Sequence, residues 1–237
     1  MVRMALNIDM FLEGLFTTIF VVLSVIIGLI LISKYFEHKK KNLLLAGIVW
    51  IGISEPWWSS TVSFIIFLIT QKGISIQLYY LIGNMFLPLT ILCWLVVIND
   101  LLGVKRKMLI FISYIVFTLI FESILYYYFL TDISKIGALA SPIDVEYTAV
   151  VVVFCLINLL IFCITGLLFA IKSLKSDNNE IKLKGKFLLI AFISFLIGAT
   201  IDAIITLPIS RFILMFSGIT FYIGFLLPEW VKKRILK

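Results

Sequence analysis

The stretch "WIGISEPWWSS" (50–60) places Glu55, Pro56 and two tryptophans inside a run otherwise apolar enough for lipid. A carboxylate and a helix breaker are costly there, so they mark the first place to look for chemistry. Five more strongly polar residues stand in other apolar runs: Asn84, Glu122, Asn158, Asp202 and Arg211. At about 1.5 Å per helical residue, Glu55 lies roughly 18 Å from one end of its run. By the same measure Asn84, Glu122, Asn158 and Asp202 lie at roughly 20–23 Å and Arg211 at about 25 Å, so the six share one slab.

Helical spacing extends each into a stripe. Gln77, Tyr80, Asn84 and Pro88 share a face, as do Thr118, Glu122 and Tyr126. Ser194, Gly198, Asp202 and Thr206 form another, and Arg211, Met215, Gly218 and Tyr222 another; Tyr147, Asn158 and Thr165 align likewise. These faces are expected to point into a bundle, because an unpaired charge facing lipid is unfavourable by a few kcal/mol or more. Arg211 is expected to pair with Asp202 across a short turn at 207–209. Leaving Glu55 and Glu122 both ionised in low dielectric is costly. The expected site is a carboxylate-lined polar pocket in the outer half, with Glu55, Asn84, Glu122, Asn158, Asp202, Arg211, Tyr80, Tyr126 and Tyr222 as ligand-binding candidates. The competing reading makes the asparagines interhelical glue, Trp57 and Trp58 packing residues, and Arg211 a side chain reaching toward headgroups.

The elements that must position these residues follow from composition. The chain has 237 residues, 62% of them hydrophobic and 14% charged, with mean hydropathy +1.18. That excludes an ordinary soluble domain and predicts an all-α polytopic protein of the cell membrane, in a single domain. Seven spans are expected, at about 10–33, 43–69, 77–101, 108–130, 148–171, 187–207 and 209–228. Pro56 is expected to kink the second, with a break near Trp58 as the alternative. Sixteen of the twenty basic residues fall after spans one, three, five and seven; Arg3, Lys72, Lys135 and Arg211 fall on the other side. The positive-inside rule then puts the N-terminus outside and the C-terminus in the cytoplasm. The +7 charge therefore sets topology and does not point to nucleic acid.

The loop 131–147 is expected outside and the loop 172–186 inside, the latter as a solvated connector that could dock a cytoplasmic signalling partner. Cys93, Cys155 and Cys163 read as buried reduced thiols. The N-terminal run reads as a retained helix, and after Pro228 only the basic "EWVKKRILK" remains, so no output domain is expected. Residues 209–228 hold no lysine for a retinal Schiff base, no HExxH occurs, and the only histidine, His38, lies in a charged loop. No enzyme, metal or cofactor is expected.

Two resemblances add to this. "YYLIGNMFLPLTILCWLVVINDLL" (79–102), with its aromatic start, central proline and polar pair at the end, resembles the third helix of the seven-helix sensor region of membrane histidine kinases. That resemblance implies sensing of a ligand or membrane state. "GLILISK" (28–34) echoes "GLLFAIK" (166–172) and "GVKRKML" (103–109) echoes "WVKKRIL" (230–236), similar to the three-plus-one-plus-three repeat of SWEET-type sugar transporters. That resemblance implies a site between halves, with Glu55 and Asp202 on corresponding helices. The expected function is a receptor or sensor module for a small molecule in the lipid bilayer; the alternative is a small proton- or cation-coupled transporter.

Overall fold

A computed structural model describes residues 8–204 and 208–236; the expectations for Arg3, Thr206, Lys237 and the start of the 207–209 turn lie outside them. The chain is 84% helical. Its helices are α1 (Ile8–His38), α2 (Lys41–Ile53), α3 (Trp58–Thr70), α4 (Ile76–Asn84), α5 (Leu87–Leu102), α6 (Lys107–Thr131), α7 (Ala149–Leu174), α8 (Asn179–Ile204), α9 (Pro208–Leu226) and α10 (Glu229–Ile235). Among the described residues, six stretches are long and apolar enough to cross a membrane: α1, α4–α5 together, α6, α7, α8 and α9.

The second expected span is broken rather than kinked. α2 ends at Ile53, a 3-10 turn occupies Glu55–Trp57, and α3 starts at Trp58. Pro56 has no N–H to continue the ladder, and side-chain hydroxyls on either side of the break bond to nearby carbonyls. Ser54 Oγ donates to the Ile51 carbonyl at 2.7 Å and Thr61 Oγ1 to that of Trp57 at 3.0 Å. The third span is broken too. Pro88 removes one N–H, α4 stops at Asn84, and α5 restarts where Thr90 N–H donates to the Phe86 carbonyl at 2.9 Å.

Both breaks meet. A Cβ added to Gly83 would come within 2.7 Å of Ser59 Oγ, and one added to Gly52 within 2.0 Å of Thr90 Oγ1. A side chain at either glycine would collide with those hydroxyls, so the bare backbone keeps α4 close to the start of α3 and α2 close to α5. α1 runs alongside both halves of the second segment: Gly14 faces Phe64, Phe20 stacks edge-on to Trp57 at 5.1 Å, and Gly28 faces Gly47.

Two further departures arise from local chemistry. The expected 131–147 loop contains a β-hairpin, β1 (Gly137–Ser141) with β2 (Asp144–Tyr147), in antiparallel register Gly137↔Tyr147 and Ser141↔Asp144. Ile136, Ile143 and Val145 bury themselves against the helices, so alternation of apolar and polar residues makes this segment a strand pair. Tyr147 therefore stands on β2 and not on the fifth helix. The expected 172–186 connector shrinks, because Asn178 caps α8: its Oδ1 accepts from Glu180 N–H at 2.8 Å and Ile181 N–H at 3.2 Å.

The main core is aromatic. Trp50 stacks on Phe221 at 4.1 Å, and Trp94, Phe162, Phe192 and Phe195 close around them from α5, α7 and α8. α6 stays peripheral: 17% of its apolar stretch is buried, against 56% for residues 76–102. A Cβ on Gly47 would sit 2.6 Å from the Gly28 carbonyl oxygen, a backbone atom that cannot rotate aside. Gly47→Ala is therefore expected to lower thermal stability in detergent by about 1–3 kcal/mol. Gly218→Ala, whose nearest neighbour is the Ile27 Cδ1 tip at 3.2 Å, is expected to cost clearly less in the same melt.

Candidate functional site

The hairpin closes a cavity of about 540 Å³ at its end of the bundle. The walls come from the Pro56 turn, α3, α4, α7 and α8, with Arg211 from α9. At its base, Arg211 forms an ion pair with Asp202. The Trp57 indole N–H donates to the second Asp202 oxygen at 2.8 Å, and Ser210 Oγ donates to the first at 2.7 Å. Arg211 Nε donates to Thr17 Oγ1 at 2.9 Å, and the guanidinium lies 5.8 Å from the Trp57 ring. With Arg211 3% exposed, the two charges of this pair compensate each other, and α1, α9 and the Pro56 turn add hydrogen bonds to it.

The upper wall is a second polar group. Tyr79 hydroxyl meets Ser60 Oγ at 2.5 Å and donates toward the Ile143 carbonyl at 3.3 Å, beside Asp144. Ser63 Oγ donates to the Pro142 carbonyl at 2.6 Å, which ties the hairpin turn to α3. Gly73 makes that approach possible, since a Cβ there would fall 1.9 Å from the Pro142 oxygen. Burial pushes the Asp144 carboxyl above its usual range, while the Val145 N–H, Arg211 and the Tyr79 hydroxyl pull it back. Burial likewise pushes the Tyr147 hydroxyl up.

Of the nine candidates named from the sequence, Asn84, Asp202 and Arg211 line this cavity. Asn84 also bonds across elements, donating to Tyr147 hydroxyl at 3.0 Å and accepting from Cys155 Sγ at 3.4 Å. Glu55 does not line it. One of its oxygens accepts the Phe86 N–H at 2.7 Å, so it caps the interrupted start of α5. Asn158 is wholly buried, accepting from Tyr114 hydroxyl at 2.6 Å and donating to the Phe154 carbonyl; it joins α6 to α7. Tyr80 packs with Phe129 and Leu125, and Glu122 and Tyr126 stand on peripheral α6. Tyr222 packs on the aromatic core. The common depth read from the sequence is thus divided among separate groups, because equal height on different helices does not bring side chains together.

The sequence reading passed over Trp57 as a hydrogen-bond donor, and over Tyr79, Asp144 and Glu146 in the cavity wall. Glu13 was not among the candidates either, although its charge is near enough to interact with both Arg211 and Asp144. A signal existed for Glu13: it precedes Thr17, the Arg211 partner, by one helical turn. No signal placed Asp144 over the cavity, because that depends on the hairpin.

Among the described residues, no group of three or more His, Cys, Asp or Glu is arranged to hold a metal. The fold and the cavity define a multi-pass helical membrane protein with a polar chamber beneath a β-hairpin. Compared with known proteins, the chain matches no family model, no curated protein and no solved structure.

Removing one member of the buried pair leaves the other charge stranded. Arg211→Gln is expected to cost about 3–5 kcal/mol in thermal or denaturant unfolding, and the double change Arg211→Leu with Asp202→Leu clearly less. Asp144 gives a second expectation. Its folded pKa lies above the unfolded value of about 3.9, so the folded chain retains a proton that the unfolded chain gives up. Stability from this group is complete below about pH 4 and is lost as pH rises through the folded pKa. Melts taken across that range are expected to show the decline in the parent chain and a flatter profile in Asp144→Asn.

Proposed function

We propose that the chain is a seven-helix, receptor-like membrane protein that binds a small molecule in the chamber beneath its hairpin. The observation that carries this reading is the cavity itself. Its volume of about 540 Å³ falls in the range of small-molecule sites, and a few convergent polar groups stand among apolar and aromatic walls. Asp202 and Arg211 neutralise each other, which leaves Asp144 and Glu146 as the acids of the chamber wall that make no ion pair among the described residues. A ligand carrying an amine or several hydroxyls suits that balance, with Trp57, Tyr79 and Tyr147 as aromatic walls.

The seven-span count rests on taking α2 and α3 as one interrupted crossing. Its support is the pairing of Gly14 with Phe64, Phe20 with Trp57 and Gly28 with Gly47, which sets both halves antiparallel to α1. The basic segments at 34–41, 105–107 and 172–186 follow helix ends opposite the hairpin, as does the stretch from 232. On the positive-inside rule that end is cytoplasmic, the hairpin and N-terminus are outside, and the basic end meets a signalling partner. This agrees with the role implied by the likeness of 79–102 to kinase sensor regions.

A second reading, a small proton- or cation-coupled transporter, is favoured by one feature. Glu55 Oε2 and Glu122 Oε1 are buried without a hydrogen-bond partner, close to the point where two helices are interrupted. Interrupted helices at mid-membrane are where transporters hold coupling ions.

The two readings separate in one pair of assays. A panel of small amines and polyols is screened for a rise in melting temperature, which at 100 times Kd amounts to about 2.7 kcal/mol. The receptor reading expects a stabilising compound whose effect disappears in Leu156→Trp, which fills the chamber, and no flux of it in proteoliposomes. Uptake or counterflow that Glu55→Gln abolishes overturns it in favour of transport.

A further inference from the structure

The end of the bundle opposite the hairpin contains a larger cavity, about 680 Å³, where the junctions of α1 with α2 and of α7 with α8 meet the ends of α5 and α9. Its charged lining is of one sign. His38, Lys40, Lys41 and Lys184 face it, and none of the described residues lining it is a carboxylate. The acids nearby are engaged elsewhere: Glu37 pairs with Lys34 at 2.7 Å, Glu180 with Lys232 at 2.5 Å, and Asp100 with Lys107. Among the described residues, no carboxylate lies within ion-pair distance of Lys40, Lys41 or Lys184. Lys184 only donates to the Phe225 carbonyl, at 3.3 Å.

The start of α2 sharpens the conflict. Lys40 occupies its N-cap with no side-chain capping bond, Lys41 follows, and the first turn has no acid. Two cations at the positive end of a helix repel it, whereas an anion bound between them would be held by lysines and helix together. The rest of the cavity is greasy: Leu43, Leu101, Phe169 and Leu188 line it, and Ile181 at its rim is 43% exposed. A free anion has no use for that surface. An amphiphile does, with its charged head at the lysines and its hydrocarbon on the apolar wall.

We propose that this cavity is a binding site for the phosphate headgroup of an anionic phospholipid, with Lys40, Lys41 and Lys184 as its ligands. The lysines stand at helix ends, where a membrane-spanning helix reaches headgroup level. The bound lipid ties the α1–α2 turn to the start of α8, two elements otherwise separated by like charge. Nothing in this depends on what the chamber at the other end binds.

The test uses the full chain, purified and exchanged into mixed micelles with either phosphatidylglycerol or phosphatidylcholine, and read by native mass spectrometry and by melting temperature. One retained phosphatidylglycerol with a raised melting temperature is expected, without the same retention of phosphatidylcholine. Lys40→Gln with Lys41→Gln, both exposed positions whose change leaves the core intact, is expected to weaken retention about tenfold. Lys40→Arg with Lys41→Arg restores it, and Lys105→Gln with Arg106→Gln, outside the cavity, leaves it unchanged. Equal retention of both lipids, equal loss in the Lys105/Arg106 variant, or the full stabilisation from inorganic phosphate alone would each overturn the proposal.

Discussion

The bundle is organised by the need to satisfy backbone groups where two helices are interrupted away from water. Pro56 and Pro88 each remove an N–H, and in a low-dielectric interior every group so released needs a partner. The chain meets that need by placing the two interruptions against each other. Glu55 from one accepts the Phe86 N–H of the other, and Gly52 and Gly83 leave room for the Thr90 and Ser59 side chains of the neighbouring segments. A carboxylate accepting an amide at the start of a helix is favoured by the helix dipole as well as by the bond. The carboxylate in "SEPWW" is therefore first of all the clasp between two broken helices.

From that clasp the chamber follows. The 3-10 turn after Ser54 turns the Trp57 indole toward Asp202, and Asp202 in turn holds Arg211 against Thr17. α1, α8 and α9 are thereby keyed to the same turn that α4 and α5 rest on. The hairpin completes the enclosure, since Ser63 and Tyr79, on either side of the Gln71–Ser75 connection, bind its tip. Its carboxylate at Asp144 is then half enclosed, which is why burial dominates its protonation.

The two ends of the bundle have opposite chemistry. The hairpin end carries acids around one compensated arginine, while the other end gathers lysines around an apolar recess. A membrane protein whose basic loops serve only as topology signals has no reason to concentrate them on a cavity. Here Lys40 and Lys41 stand at the uncapped start of α2, and the geometry gives the charge a use beyond orientation.

Much of this was legible in the sequence. Hydrophobic runs of membrane length located α6, α7 and α9 within a few residues, because lipid imposes length and polarity on each helix independently of its neighbours. α1 and α8 extend beyond their expected runs, to His38 and back to Asn179, where polar and charged residues continue the helix. Asp202 and Arg211 could be matched because few residues of sequence separate their helices. What the sequence could not decide was which polar residues share a space. Counting residues along each run sets Glu55, Asn84, Glu122 and Asn158 at similar depth, yet they end in a helix cap, a three-element junction, a peripheral helix and a helix–helix bond. Depth is a property of one helix, whereas azimuth and neighbour are set by packing of all of them, through contacts such as Gly28 on Gly47 and Trp50 on Phe221. The hairpin over the chamber was hidden for the same reason: its short strands are held by burial of Ile143 and Val145 against helices far away in the chain, and only the tertiary structure brings those helices beneath it.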